Sequence, residues 1–245
     1  MLLQLSTWPE VDLYLEKSTG IIIPIGSTEQ HGPTGLIGTD ALTSEKIANL
    51  ISEKYDVLIA PTINIGMAQH HMAFSGSITL KPTTFISMIC DVVTSLTSHG
   101  FKKIVFVNGH GGNVAPLEVA FSELYSEFSL SNKTCDFECK NINWYEGKRV
   151  QELSKNLYGD SEGWHATPSE VAMTYYLHPD CVKKKDMEPK IAVKGNFRDA
   201  HDFRKQFPDG RIGSDPSLAT VEDGKAICDA AFLDVYEAYQ NFFDS

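Results

Sequence analysis

The chain of 245 residues lacks the basic excess that a general nucleic-acid binder needs. Its 21 lysines and arginines stand against 32 acidic residues, which gives a net charge of −11 and an isoelectric point near 5.1. A protein that binds the phosphate backbone needs a basic footprint on its surface. The composition therefore predicts no nucleic-acid partner.

Long apolar runs and a secretion signal are also missing. No apolar stretch approaches the roughly 20 residues of a membrane-spanning helix, and the first residues, MLLQLSTWPEVDLYLEK, contain no basic region followed by a long apolar run. The five cysteines are scattered, and Cys135 and Cys139 have no second cysteine pair that would complete a zinc site. Free thiols of a reducing compartment are the better interpretation. We therefore expect a soluble cytoplasmic protein without a membrane partner.

What the sequence does contain is an alternation of short apolar runs and helical patterns. Strands are predicted at 20–27, 56–66, 102–109 and 134–146. Apolar residues at helical spacing are found at 40–55, 81–100, from after Asn113 to about Phe128, at 167–179 and at 221–243. This order predicts an α/β fold of three layers, α/β/α, with a mainly parallel central sheet, in a single domain spanning residues 1–245.

Two loops are predicted to lie at one rim of this sheet, because parallel sheets bind ligands beyond the carboxyl ends of their strands. The loop after the first strand contains Glu29, His31 and Asp40, and the loop after the third strand contains His110. Glu29 and His31 are two residues apart, so an extended backbone points them the same way. Two carboxylates and two imidazoles are ligands that Zn²⁺ or Mn²⁺ accepts. Asp40 would suit a bridge between two ions that activate water.

Two of these features have another interpretation. Asp40 or Thr39 could cap the helix that follows. The glycine-rich loop around His110 could hold a phosphate, although it lacks the third glycine of a dinucleotide fingerprint and the lysine of a P-loop. The alternative function is therefore a nucleotide- or phosphate-binding protein without hydrolytic activity.

A third segment, EGWHATPSE, adds His165 and Glu170. His165 lies just before a predicted helix and is a candidate to protonate a leaving nitrogen or to orient the substrate. Glu170 completes a T-x-x-E capping box with Thr167. Capping does not exclude metal ligation, since a carboxylate has several lone pairs.

Three further features are interpreted less specifically. Of the adjacent His70 and His71, at most one is expected to face the site, and Trp144 is expected either in a pocket wall or in the core. Residues 183–211 hold nine basic and five acidic residues, a net charge of +4 in an acidic chain. This segment is predicted to be irregular. It is either a lid or subunit contact that selects anionic substrates, or a solvated loop.

Together these motifs resemble the creatininase (creatinine amidohydrolase) family. The matching stretches are GSTEQHGP…GTD at 26–40, GMAQHHMAFSGSITL at 66–80, VNGHGGN at 107–113, HATPSE at 165–170 and GSDPSLATVEDG at 213–224. The resemblance implies one α/β/α domain, usually in a homohexamer. It also implies a centre of two divalent metal ions, Zn²⁺ first and Mn²⁺ or Fe²⁺ as alternatives, with Glu29, His31, Asp40 and His110 as ligands, Asp40 bridging, and His165 as the catalytic histidine.

One position departs from that pattern. Creatinine hydrolases proper carry a metal-binding glutamate two residues after the histidine that His110 matches, and this chain has Gly112 there. We expect Glu170 or water to replace the missing ligand, and we do not expect creatinine itself to be the substrate. The predicted function is a metal-dependent hydrolase that cleaves an amide, cyclic amide or formamide C–N bond of a small molecule, other than a peptide bond. A metal-bound hydroxide would attack, with His165 and Glu170 as catalytic residues.

Overall fold

Four strands form one parallel sheet in the computed structural model, which describes residues 1–243. The strands are β1 Gly20–Ile25, β2 Leu58–Ile59, β3 Lys103–Asn108 and β4 Glu138–Asn143. Their spatial order is β2-β1-β3-β4, and every pairing is parallel. The predicted mainly parallel sheet is confirmed.

All four strands are shorter than predicted, β1 and β3 by two residues each and β2 and β4 by more. β2 has two residues where 56–66 was expected, because the chain turns away after Ile59 and rejoins the sheet only through a bridge between Ile63 and Ile25. β4 occupies the middle of the predicted 134–146 stretch.

Eight helices surround the sheet within the described residues: α1 Trp8–Leu15, α2 Thr39–Tyr55, α3 Pro82–Ser98, α4 Val114–Leu130, α5 Lys148–Tyr158, α6 Pro168–Leu177, α7 Ala200–Gln206 and α8 Val221–Phe243. The five predicted helices agree with α2, α3, α4, α6 and α8 to within a few residues. Helices α1 and α5 were not predicted. The predicted irregular segment contains α7, whose N-terminus is capped by Asp199.

The helices pack on both faces of the sheet, which gives the three layers. Ile21, Ile23 and Ile25 of β1 point to one face, where they pack with residues of α3 and α4. Ile22 points to the other face and packs with residues of α2, α6 and α8. This alternation follows from the two-residue period of a strand, and both faces of β1 are fully buried. The predicted α/β/α architecture is confirmed.

The strand order places a ligand-binding crevice between β1 and β3. From β1 the chain crosses to β2 on one side, then returns to β3 on the other side of β1. Loops that leave two such strands in opposite directions open a crevice at their carboxyl ends. The loops after Ile25 and after Asn108 therefore face each other. None of the helices within residues 1–243 combines the length and apolar character that crossing a lipid bilayer requires.

Candidate functional site

The loop after β1 folds back on itself and buries two of the predicted ligands. The Glu29 amide donates to the Ile37 carbonyl at 2.9 Å, and the Gly35 amide donates to the His31 carbonyl at 3.0 Å. The side chains of Glu29 and His31 are almost fully removed from solvent. Burying a carboxylate is costly unless a partner compensates it, so this loop is built to hold a charged site.

Asp40 lies in the first turn of α2, and it does not cap that helix. The N-cap position is Gly38, and no side chain caps the helix there. The Asp40 carboxylate, 2% exposed, points instead towards two imidazoles: its Oδ1 lies 3.0 Å from Nε2 of His31 and its Oδ2 lies 3.2 Å from Nδ1 of His110. The partial positive charge of the helix N-terminus favours a carboxylate at this position.

Glycine at position 109 lets the end of β3 approach the start of α2. A Cβ atom there would collide with the Asp40 backbone carbonyl and would lie 2.7 Å from Oγ of Ser44. The close approach brings His110 beside both carboxylates, with its Nε2 3.3 Å from Oε2 of Glu29. Glu29, His31, Asp40 and His110, which we call the inner cluster, thus meet at the rim predicted from the sequence.

The inner cluster has the donor set and spacing of a divalent metal site. Both carboxylate oxygens of Glu29 and Oδ2 of Asp40 are buried without a hydrogen bond. Their nearest imidazole nitrogens lie at 3.1–3.3 Å. Ligands bound about 2.0–2.2 Å from one ion at tetrahedral or octahedral angles lie roughly 3.0–3.5 Å apart. These residues therefore fit the metal that the motifs predict.

Three overlapping sets of side chains bring their ligand atoms within 4.8 Å of one another: Glu29 with Asp40 and His110, His31 with Asp40 and Glu170, and Glu29 with His31 and His165. Asp40 belongs to the first two sets and turns a different oxygen towards each. It therefore occupies the position from which one carboxylate could serve two ions.

The charges of the cluster shift the pKa values strongly. Burial alone would raise the pKa of Glu29, but the neighbouring His110 and His71 outweigh it and hold that pKa well below its ordinary value. Burial opposes protonation of His31, yet Asp40 and the other carboxylates raise its pKa to about 10. Burial, together with the charge of Asp40, raises the pKa of Glu170 to about 7 despite His31. Such opposed shifts in one cleft are typical of functional sites.

Glu170 forms the predicted capping box and also lies near the inner cluster. Its Oε1 accepts the Thr167 amide at 2.8 Å and the Glu170 amide donates to Oγ1 of Thr167 at 3.2 Å, so the capping box is formed. The same Oε1 lies 3.7 Å from Nε2 of His31. The start of α6 therefore carries a carboxylate to the edge of the inner cluster.

Gln30 holds the two remaining histidines of the site, and the sequence interpretation did not include it. Its Oε1 accepts the Gly32 amide at 2.8 Å, which fixes the orientation of the side-chain amide. Its Nε2 lies 2.9 Å from Nδ1 of His71, 2.9 Å from Nε2 of His165 and 3.0 Å from the Gly210 carbonyl, to which it donates. The sequence signal for Gln30 was its position between Glu29 and His31, which were both predicted as ligands.

His165 and His71 both face the inner cluster through Glu29. Nδ1 of His165 lies 3.9 Å from Oε1 of Glu29, while its Nε2 lies 2.9 Å from the Gln30 backbone carbonyl. Burial and the nearby His71 and His31 hold the pKa of His165 well below its ordinary value. Nε2 of His71 lies 3.1 Å from Oε1 of Glu29. His70 stacks on Phe197 and, with 6.2 Å between ring centroids, on His110. Of the two adjacent histidines, His71 is the one whose ring nitrogen lies against a carboxylate of the inner cluster.

A cavity of about 430 Å³ opens from the inner cluster. Its far side is formed by residues that the sequence interpretation mostly missed, which we call the outer wall: Tyr145, Glu146, Gln151, Glu162 and Trp164. Tyr145 and Glu146 follow β4, so the rim argument used for β1 and β3 would have found them. For Glu162 and Gln151 the sequence offers no comparable signal.

Two features of this region were left with alternative interpretations by the sequence. Trp144 is 1% exposed and packs in the core, because the chain after β4 turns Tyr145 towards the cavity instead. The basic segment 183–211 contributes no residue to the described lining of the cavity. Arg211 is buried and donates hydrogen bonds to Asp209 and to nearby carbonyls. Its positive charge is therefore already compensated by Asp209.

Gly112 leaves no room for the glutamate that creatinine hydrolases carry at this position. A Cβ atom on Gly112 would collide with the His110 ring and would come too close to the Met67 carbonyl. The His110 ring, whose Nε2 lies 3.1 Å from that carbonyl, occupies the space where a longer side chain would begin. The replacement of this glutamate by Gly112 is therefore matched by a lack of space for a side chain at that position.

The family model described as creatinine amidohydrolase matches residues 4–239. The chain belongs to the creatininase family. A creatininase structure, of a mutant complexed with creatine, superposes with a TM-score of 0.87 at 20% identity, covering 100% of this chain and 99% of that one. This likeness confirms the creatininase-like fold.

The relatives within the family differ in what they act on. The 3-dehydro-scyllo-inosose hydrolase of Thermotoga maritima is 28% identical over 195 residues, which are 76% of this chain and 60% of that relative. This chain thus covers less than two thirds of the relative's length. The mycofactocin precursor peptide peptidase of Mycolicibacterium smegmatis is 25% identical over 221 residues, 84% of this chain and 78% of its own length. Hydrolases therefore recur in the family, and a peptidase is among them.

Proposed function

We propose that this protein is a metal-dependent hydrolase that cleaves the C–N bond of a small amide, cyclic amide or formamide, a bond other than a peptide bond. The observation that carries the proposal is the inner cluster, whose buried and unpartnered carboxylate oxygens lie 3.1–3.3 Å from imidazole nitrogens. A cavity of about 430 Å³ suits a small molecule. No comparison supports the alternative, a nucleotide- or phosphate-binding protein without hydrolytic activity.

The metal ligands in this proposal are Glu29, His31, Asp40, His110 and Glu170, with Asp40 shared between two divalent ions. Zn²⁺ is our first choice, with Mn²⁺ or Fe²⁺ as alternatives. Other creatininase structures, at 20% identity and a TM-score of 0.86, include a zinc–zinc form and a manganese form. When bound, the ions would supply a nucleophilic water at neutral pH and a Lewis acid for the carbonyl oxygen.

His165 is the group that moves a proton in this proposal. In this proposal Nε2 of His165 donates to the Gln30 backbone carbonyl at 2.9 Å, while the two side-chain amide protons of Gln30 go to Gly210 and His71. The lone pair of the neutral ring then lies on Nδ1, on the side of Glu29. Its lowered pKa keeps the ring neutral near pH 7. Nδ1 can therefore accept a proton as the nucleophile adds and return it to the departing nitrogen. Glu170 supports this step by its negative charge beside the imidazole of His31, with its Oε1 3.7 Å from Nε2.

Three further properties belong to the proposal. The chain is expected to form one domain over residues 1–245, of which 244 and 245 lie outside the described residues; the two cores on opposite faces of one sheet support this. The resemblance implies a homohexamer, and the free cysteines favour a reducing compartment such as the cytoplasm. Sedimentation at about six times the chain mass of 27.1 kDa would support the assembly, and a monomer would contradict it.

Metal content and hydrolysis, measured on the same preparation, test the proposal. Protein purified without chelator should contain close to two divalent ions per chain and hydrolyse members of a panel of lactams, formamides and short peptides. Glu29→Gln and His31→Ala should each lose metal and abolish hydrolysis without loss of helical circular dichroism. The exposed Glu53→Gln serves as control. A folded protein without divalent metal would contradict the proposal, and turnover of peptides alone would contradict its restriction to other C–N bonds.

A further inference from the structure

The cavity is bordered by acidic side chains, and its lining within the described residues contains no lysine or arginine. Glu146 and Glu162 of the outer wall add to Glu29, Asp40 and Glu170, so five carboxylates surround it. Two divalent ions would bring four positive charges to the metal end of the cavity, where Glu29, Asp40 and Glu170 lie. The loaded site would therefore keep an acidic outer wall, with its positive charge confined to the metal end.

Glu162 is the carboxylate of this wall that has one oxygen without a hydrogen bond. Its Oε1 accepts the Ser169 hydroxyl, whereas its Oε2 is buried without a hydrogen bond. Burial raises the pKa of Glu162, and hydrogen bonds from Ser169 and Thr167 offset this only in part. Glu146 differs, since its Oε2 accepts the Asn143 side-chain amide at 2.9 Å and the residue is exposed. A hydrogen-bond donor on a ligand would thus give Oε2 of Glu162 the partner that it lacks.

Two aromatic rings lie on the same wall. Trp164 is 68% exposed at the cavity, although a tryptophan of this size is usually buried. Tyr145 lines the cavity as well. The face of an aromatic ring attracts a cation within about 6 Å of its centroid. Carboxylate and aromatic faces together are the surroundings that a cationic group prefers.

The basic residues of the segment 183–211 do not line this cavity within the described chain. Lys183, Lys184 and Lys185 line a separate cavity beside Tyr175. Arg204 lies over the Phe74 ring at 4.2 Å. The acidic wall therefore faces the substrate without compensation from this segment.

We propose that the substrate carries, besides its scissile amide, a cationic nitrogen group such as a protonated amine or amidine, which binds at the outer wall against Glu162. Phosphorylated and carboxylate substrates are disfavoured by the same wall. The inference rests on the proposed function, because it places the scissile bond at the inner cluster. It adds to the proposed function that the group at the other end of the substrate is positively charged.

Hydroxamates test the charge preference without turnover. A hydroxamate chelates metal ions, so three of them with different tails share one anchor: β-alanine hydroxamate (cationic), butyrohydroxamate (neutral) and succinomonohydroxamate (anionic). Binding to zinc-loaded protein near neutral pH is measured by titration calorimetry. We expect the cationic ligand to bind about tenfold more tightly than the anionic one, because like charges repel and opposite charges attract at a partly buried wall. Glu162→Gln should reduce this preference at least about threefold.

The controls separate this inference from the proposed function. Glu152→Gln removes the same charge from an exposed position on α5, and we expect it to keep the preference. Equal affinities, or tighter binding of the anionic ligand, would overturn the inference while leaving the metal site intact. An unchanged preference in Glu162→Gln would overturn the role of that residue. If no hydroxamate binds and no zinc is retained, the proposed function fails, and the inference fails with it.

Discussion

The inner cluster and the outer wall are built in different ways. The inner cluster comes from loops that directly follow β1 and β3 and from the first turn of α2, and its four side chains are at most 5% exposed. The outer wall comes from the chain after β4, and its residues are half-buried or exposed. Sheet topology thus determines the position of the first, while irregular segments determine the second. Relatives of this chain include an inosose hydrolase and a peptide peptidase, so what is acted on varies among them.

The strongest test of this comparison changes Asp40, which belongs to two of the candidate ligand sets. Asp40→Asn should lose both metal ions, because Asp40 belongs to two of the ligand sets. Glu170→Gln should lose only one ion, since Glu170 belongs to one set. Hydrolysis by Asp40→Asn should fall by more than the roughly 10–100-fold that substitutions outside the ligand shell cost. Metal per chain, measured by mass spectrometry, gives the stoichiometry, and equal losses in the two variants would contradict the shared role.

Gln30 connects the loop of the inner cluster to His71 and His165. Gln30→Leu keeps a similar volume but removes the contacts to His71, His165 and Gly210. We expect kcat to fall about 10–100-fold, as for residues that orient catalytic groups, with KM and metal content little changed. Gln240→Ala, an exposed glutamine on α8, is the control. A loss of metal equal to the loss of kcat would show that Gln30 supports the ligands rather than His165.

Two neighbouring glycines test the steric side of the inner cluster. A Cβ on Gly112 would collide with the His110 ring, whereas one on Gly111 would have Tyr145 Oη as its nearest atom, at 3.8 Å. Gly112→Ala should therefore lower the free energy of unfolding by about 1–3 kcal/mol, as overpacking does, and Gly111→Ala by much less. Urea unfolding measures both. Similar values would indicate that the His110 ring can move aside, and a glutamate at 112 would then be sterically acceptable.

The same division separates what the sequence could predict from what it could not. The inner residues were predictable because Glu29 and His110 follow apolar β-branched runs, and parallel strands bring such ends together. Glu162 was not predictable, since its place depends on an irregular turn without periodicity. Helix α5 was missed although Val150, Ser154 and Tyr158, four residues apart, face the core. β2 was drawn too long, because composition alone did not show where the chain leaves the sheet.

The smallest effect is expected in the basic segment 183–211, although this segment carries a net charge of +4. Arg198 is exposed and pairs with Asp202, and Arg204 packs on Phe74; Lys205 is exposed. The triple change of Arg198, Arg204 and Lys205 to Ala should alter stability by less than about 0.5–1 kcal/mol. It should also leave the ratio of anionic to cationic ligand affinity unchanged, because none of the three residues lines the cavity within the described chain. The hydroxamate titrations measure that ratio. A shift of about threefold towards cations would show that the segment reaches the substrate after all, and charge selection would then belong to both regions.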